Sequence, residues 1–137
     1  MKVPHLAHVV LVDGERFIVM RNTGPIFEPR LEMVAEPDLD LTNFSAGVRH
    51  QDRVPEGLRT VANELDELAH ATAAAEWLNA GVLAGEIEQV VVIADPRTLG
   101  EMRRHYHKEL QARIAGELDK TVAWTTPERI AEIVAAA

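Results

Sequence analysis

At 137 residues, with 47% apolar and 26% charged side chains, the chain suits one globular domain with its own core and excludes wholesale disorder. The absence of cysteine excludes a disulfide scaffold, zinc-thiolate and iron–sulfur sites and a thiol nucleophile. A net charge of −8 excludes a uniformly phosphate-binding surface, and 4% aromatics leave little for a base-stacking platform.

No apolar run approaches the roughly 20 residues of a membrane span. The first residues lack the apolar core of a signal peptide, so a cytoplasmic location is expected. Ala7 to Val12 is apolar with a β-branched centre, and Asp13-Gly14 is a tight-turn dipeptide. Glu15 to Arg21 alternates, with Phe17 and Val19 on one face and Ile18 and Met20 on the other, which predicts a hairpin ended by Asn22-Thr23-Gly24-Pro25. Arg30 to Glu36 alternates again, with Leu31, Met33 and Ala35 against Glu32, Val34 and Glu36, and suits a short edge strand. Residues 37–57 show no period and predict a long mobile loop of functional interest.

Leu58 to Ala80 carries the clearest helical stripe (Val61, Leu65, Leu68, Thr72, Ala75, Leu78), with Gly81 placed as its cap. Ile87 to Ala94 is a continuous apolar run, the mark of a strand buried on both faces. Asp95-Pro96 opens a helix expected to run to about Ala115, with a break near Gly100 or His107 and Gly116 as its stop. Glu117 to Trp124 is expected to hold a last strand, and Thr126-Pro127 starts a last helix with Ile130, Ile133 and Val134 on its apolar face. The order predicts a single α/β domain over residues 1–137: a mixed sheet with an N-terminal hairpin and flanking helices.

No phosphate-loop, nucleophile-elbow or dinucleotide fingerprint is present. The histidines do not assemble a ligand set. His5 and His8 point to opposite faces of a strand, and His105 and His107 diverge by about 200° on a helix. Neither a metal nor another cofactor is expected. Asp13, Asp95 and Asp119 fall at or near strand ends, where converging carboxylates could hold Mg²⁺ for a nuclease; the structural reading is a hairpin turn for Asp13, a helix cap for Asp95 and a place beside Lys120 for Asp119. Arg97, Arg103, Arg104 and Lys108 make one helical segment basic on an otherwise acidic chain, a surface for RNA phosphate or an acidic partner, or a solvated face paired with the protein's own acids. The tract Ser45 to Arg53 joins Gly47 to Arg49, His50, Gln51 and Arg53, residues able to present N–H groups and cations to an anionic or ester-bearing ligand.

Three stretches carry a resemblance across nearly the whole chain. Val10-Leu-Val-Asp-Gly14 precedes a second strand, Ser45-Ala-Gly-Val-Arg-His50 lies in the loop, and Val90 to Arg104 is followed by Gly116-Glu-Leu-Asp-Lys120. In their order and spacing these resemble the bacterial host attachment protein family, proteins required for attachment to host cells. That family is similar in turn to the middle domain of archaeal and eukaryotic peptide-release factors and Pelota. The resemblance implies an RNase H-like α/β fold and a module acting with the ribosome, tRNA or a protein partner. Release factors reach the peptidyl-tRNA ester with a Gly-Gly-Gln loop. Here the matching tract reads Gly47-Val48-Arg49-His50-Gln51, with one glycine and three other residues before the glutamine. The resemblance therefore implies a non-catalytic binding module first. Hydrolysis is the alternative, either of the peptidyl-tRNA ester through Gln51 or of RNA through Asp13 and Asp95.

Overall fold

β-Branched runs make the centre of the molecule. The computed structural model describes residues 1–39 and 56–137, with 56–65 described as backbone alone. Strands β1 (His8–Val12), β2 (Phe17–Asn22) and β3 (Leu31–Ala35) come first, then helix α1 (Glu56–Leu83) and strand β4 (Val90–Ala94). Helices α2 (Pro96–Arg103) and α3 (Lys108–Arg113), strand β5 (Ile114–Leu118) and helix α4 (Pro127–Ala136) complete the chain. The sheet order is β3-β2-β1-β4-β5. β1 pairs parallel with β4, and β4 parallel with β5; β2 is antiparallel to both β1 and β3. Four strands therefore point their carboxyl ends to one edge, and β2 alone runs against them.

Period-two alternation divides the core into two layers. Val10, Val12, Phe17, Val19, Val90 and Val92 face α1, α2 and α3, whereas Val9, Leu11, Ile18, Met20, Val91 and Ile93 face α4 and the N-terminal arm. This is the partition expected for Phe17/Val19 and Ile18/Met20, and β4 is buried on both faces as its apolar run requires. Buried alanines (Ala71, Ala74, Ala75) let α1 lie close on the sheet, and Leu78 anchors it. Full burial of such a leucine is worth about 1.5–3 kcal/mol. Phe17 meets Trp77 edge-to-face at 5.2 Å.

β3 is the sheet edge, but its alternation is broken. A bulge opposite Val19/Met20 leaves Met33 paired with Met20 and Ala35 with Val19. Leu31 thus packs in the α4 layer and Ala35 against the α1 layer, not on one shared face as the sequence pattern suggests.

Several boundaries move for identifiable reasons. α1 begins at Glu56, inside the expected 37–57 loop, and passes through Gly81. Its end is a Schellman arrangement about one helical turn later than expected. Glu86 N–H donates to Gly81 O (2.9 Å) and Gly85 N–H to Val82 O (3.0 Å), with Gly85 at φ +75°. Gly81 remains glycine because Ile87 seals the helix there; a Cβ would lie 2.5 Å from Ile87 Cδ1. The helix expected over 96–115 is two helices. Asn79 of α1 holds the break: its Nδ2 donates to His105 O (2.8 Å), and its Oδ1 accepts from His107 N–H (2.9 Å). His107 then caps α3, its Nδ1 accepting from Glu109 N–H (3.1 Å). The last strand is Ile114–Leu118, earlier than 117–124, because α3 ends at Arg113 and the next residues pair with β4 through Gly116. Thr126 and Pro127 start α4 as their positions predict.

Candidate functional site at the carboxyl edge of the sheet

The register Val12↔Ala94 makes Asp13 and Asp95 leave two adjacent parallel strands side by side. The chain turns back to β2 after β1 but runs outward to β5 after β4, so this is where the connections diverge. Open α/β sheets bind ligands in the crevice outside such a point. A cleft of about 280 Å³ lies there. Asp13 and Asp95 line it, joined by Glu67 of α1, Arg97 and Thr98 of α2 and Thr121 beyond β5.

Both aspartates also hold the backbone. Glu15 and Arg16 N–H groups donate to Asp13 Oδ1 (2.7 and 2.6 Å), closing the hairpin turn. Thr98 N–H donates to Asp95 Oδ2 (3.1 Å), capping α2, with Pro96 in the first turn. Arg97 Nη1 faces Glu67 Oε2 at 4.0 Å, both half-exposed. Among the described residues no group of three or more His, Asp or Glu is placed to hold a metal ion. Behind the turn, His70 is 6% exposed and its Nδ1 has no hydrogen-bond partner. Burial pushes this imidazole below its usual range, against the opposing pull of the Asp13 backbone and the Asp13 and Glu15 charges.

The edge extends sideways from this cleft. Arg16 in the hairpin turn pairs with Glu36 (2.9 Å), where the chain leaves β3, and lies over the Trp124 ring at 6.0 Å. The tract 40–55 is thus flanked on one side by residues tied to this edge and on the other by the start of α1. A 28-residue helix is about 42 Å long, whereas five-residue strands span about 17 Å. Glu67 lies at the cleft, and the eleven residues before it continue α1 for about 16 Å along its own axis.

Residues 7–134 match the family model of bacterial archaeo-eukaryotic release factor family 12. The chain belongs to that family. No curated protein matches it.

In this release-factor-family domain, the residues picked from sequence fall into three groups. Asp13, Asp95 and Arg97 come together in the cleft. Gly47, Arg49, His50, Gln51 and Arg53 lie outside the described residues. Arg103, Arg104 and Lys108 are elsewhere, around the α2–α3 break. Arg103 Nη2 binds Glu117 (2.9 Å), whose other oxygen accepts from Tyr106 OH (3.1 Å). Arg104 and His105 both reach Glu101 (3.2 and 3.1 Å). Burial, then Glu117, raises the Tyr106 phenol far above its ordinary range, so it stays a donor. Much of the basic character of this segment is therefore matched by the protein's own acids, while Lys108 is exposed at the start of α3. Glu67 and Thr121 were not foreseen. Glu67 is one acid among several on a helix, and nothing local distinguishes Thr121.

No described helix is long and apolar enough to cross a membrane.

Proposed function

We propose that this release-factor-family chain is a non-catalytic binding module that docks on the ribosome or its bound tRNA through the tract 45–53. The observation that carries the reading is the length of α1. At about 42 Å it is more than twice as long as a five-residue strand, and it joins one end of the tract to the cleft residue Glu67, while Arg16–Glu36 ties the chain before the other end to the carboxyl edge. Arg49 and Arg53 would meet phosphate, with Gly47 permitting close backbone approach. The chain is acidic overall, so binding through a local cationic tract should be strongly weakened by salt. Strand order 3-2-1-4-5 with β2 alone reversed supports the RNase H-like reading of the fold. Such a module works in the cytoplasm, and any role in attachment to host cells follows from it indirectly.

Co-sedimentation with ribosomes in low salt tests this. The full chain is expected in the ribosome pellet, and Arg49→Ala with Arg53→Ala is expected to remove it. Arg103→Ala with Arg104→Ala should matter less, since those cations already have acidic partners. Failure to bind ribosomes or tRNA overturns the reading. Hydrolysis of peptidyl-tRNA that Gln51→Ala abolishes, or Mg²⁺-dependent RNA cleavage that Asp13→Asn abolishes, would replace it with an enzyme.

A further inference from the structure

His8, the first residue of β1, is 8% exposed, and its Nδ1 has no hydrogen-bond partner. It shares the α1 face of the sheet with Val10 and Val12, since strand side chains alternate. Its neighbours across the sheet are Arg21 of β2 and Val90 of β4. The last turn of α1, Ala80 to Leu83, carries no charged side chain. The charge that acts on the ring is therefore that of Arg21, a cation. Burial first, and Arg21 second, hold the imidazole below its usual range. The neutral ring suits this place; a protonated ring would be a buried cation beside another cation, with an N–H left unsatisfied.

Arg21 also fastens the chain that leads into β1. Its Nε donates to Leu6 O (3.1 Å). The neighbouring Asn22 accepts from Leu6 N–H at its backbone oxygen (2.7 Å), donates to Ala7 O from its backbone N–H (2.9 Å) and reaches Val3 O through Nδ2 (2.9 Å). The arm from Val3 to Ala7 is thus held mainly by two consecutive residues, one of them the cation that His8 faces. Leu6 sits at φ +66°, the left-handed region that leucine rarely adopts, and its side chain is 45% exposed, so its bonds to Arg21 and Asn22 hold it there and not its own burial. We propose that His8 is an acid-sensitive latch: when its ring takes up a proton, the arm from Val3 to Ala7 lifts from the Arg21-Asn22 end of β2 while the sheet stays paired. Repulsion moves the guanidinium away from Leu6 O, Leu6 relaxes, and the ring turns into the solvent that the departing arm admits. β1 stays in place because all five of its residues pair with both β2 and β4. Lifting the arm uncovers the α4 layer of the core, where Val3 is fully buried.

Amide hydrogen exchange on the full chain, followed by NMR at pH 7.5 and 5.5 and corrected for intrinsic rates, tests the latch. The amides of Val3 and Leu6, bonded to Ile26 O (3.1 Å) and Asn22 O, report on the arm, and that of Val92 reports on the sheet. The arm amides should exchange roughly a hundredfold faster than Val92 at both pH values, the mark of local opening. Acid should accelerate them about three- to tenfold, tenfold being the ceiling for one proton on a released imidazole with a pKa near 6.5. His8→Gln should abolish the acceleration, and Arg21→Gln, at an exposed position, should at least halve it. His70→Gln, in the other buried imidazole, should leave it unchanged. The latch is refuted if the arm and Val92 exchange alike, if acid does not accelerate the arm, if His8→Gln keeps the acceleration, or if His70→Gln removes it. Should His8→Gln not fold, the unsubstituted chain decides: the His8 ring must titrate over the same pH interval in which the arm opens, and a mismatch refutes the latch.

Discussion

Replacing Asn22 by alanine should cost this domain a large part of its stability, although Asn22 is one polar residue at a strand end. Its side chain is fully buried and organises three segments at once. Nδ2 donates to Val3 O (2.9 Å) and more weakly to Pro4 O (3.3 Å), holding the N-terminal arm. Oδ1 accepts from Gly24 N–H (2.8 Å) and Arg30 N–H (2.9 Å), clamping the turn that leads into β3. Alanine removes three well-formed bonds, worth about 1 kcal/mol each. It also strands the Gly24 donor and the Val3 acceptor, because both of those bonds are buried. The loss should be roughly 3–5 kcal/mol, against a total of about 5–15 kcal/mol for a domain of this kind. Urea denaturation followed by circular dichroism measures it, and the midpoint temperature should fall by roughly 10–17 °C. Thr23→Ala, which removes an exposed 3.3 Å bond to Arg30 O, is the neighbouring control and should cost less than about 0.5 kcal/mol. A loss below about 1 kcal/mol for Asn22→Ala, with unchanged denaturant slope, would refute the reasoning.

Two glycines should respond to alanine with opposite signs. Gly85→Ala meets no atom within 4 Å but must hold φ +75°, so it should lower stability by about 1 kcal/mol; Gly100→Ala meets equally open space inside α2 and should raise it by about 1 kcal/mol, both read from urea midpoints. Acid should destabilise the fold through His8 and His70. Burial holds both imidazoles below 6.5, with Arg21 adding to the effect at His8 and the Asp13 backbone opposing it at His70. The unfolded chain therefore takes up protons first as pH falls below about 6.5, and stability drops until the folded imidazoles titrate. Melting temperatures between pH 7.5 and 5 should decline, and His70→Gln should flatten that decline; a rise on acidification would contradict the assignment.

Local chemistry determined much of this protein. Alternation in 17–20 assigned each side chain to its layer, the 90–94 run required an interior strand, and Asp13, Asp95 and Thr126 announced a turn and two caps. These are short-range effects, complete within a few residues. Tertiary structure decided what depends on distant partners. Asn79, 26 residues away, splits the 96–115 helix by bonding both sides of its break. Ile87 keeps Gly81 inside α1 and moves the cap to Gly85. The β3 bulge sends Ala35 to the layer opposite Leu31. Glu67 and Thr121 reach Asp13 and Asp95 only because β1 and β4, some eighty residues apart in sequence, lie side by side in parallel register. The concavity between α4 and the β2–β3 turn likewise exists only once α4 has settled there, since neither half of its wall encloses space alone.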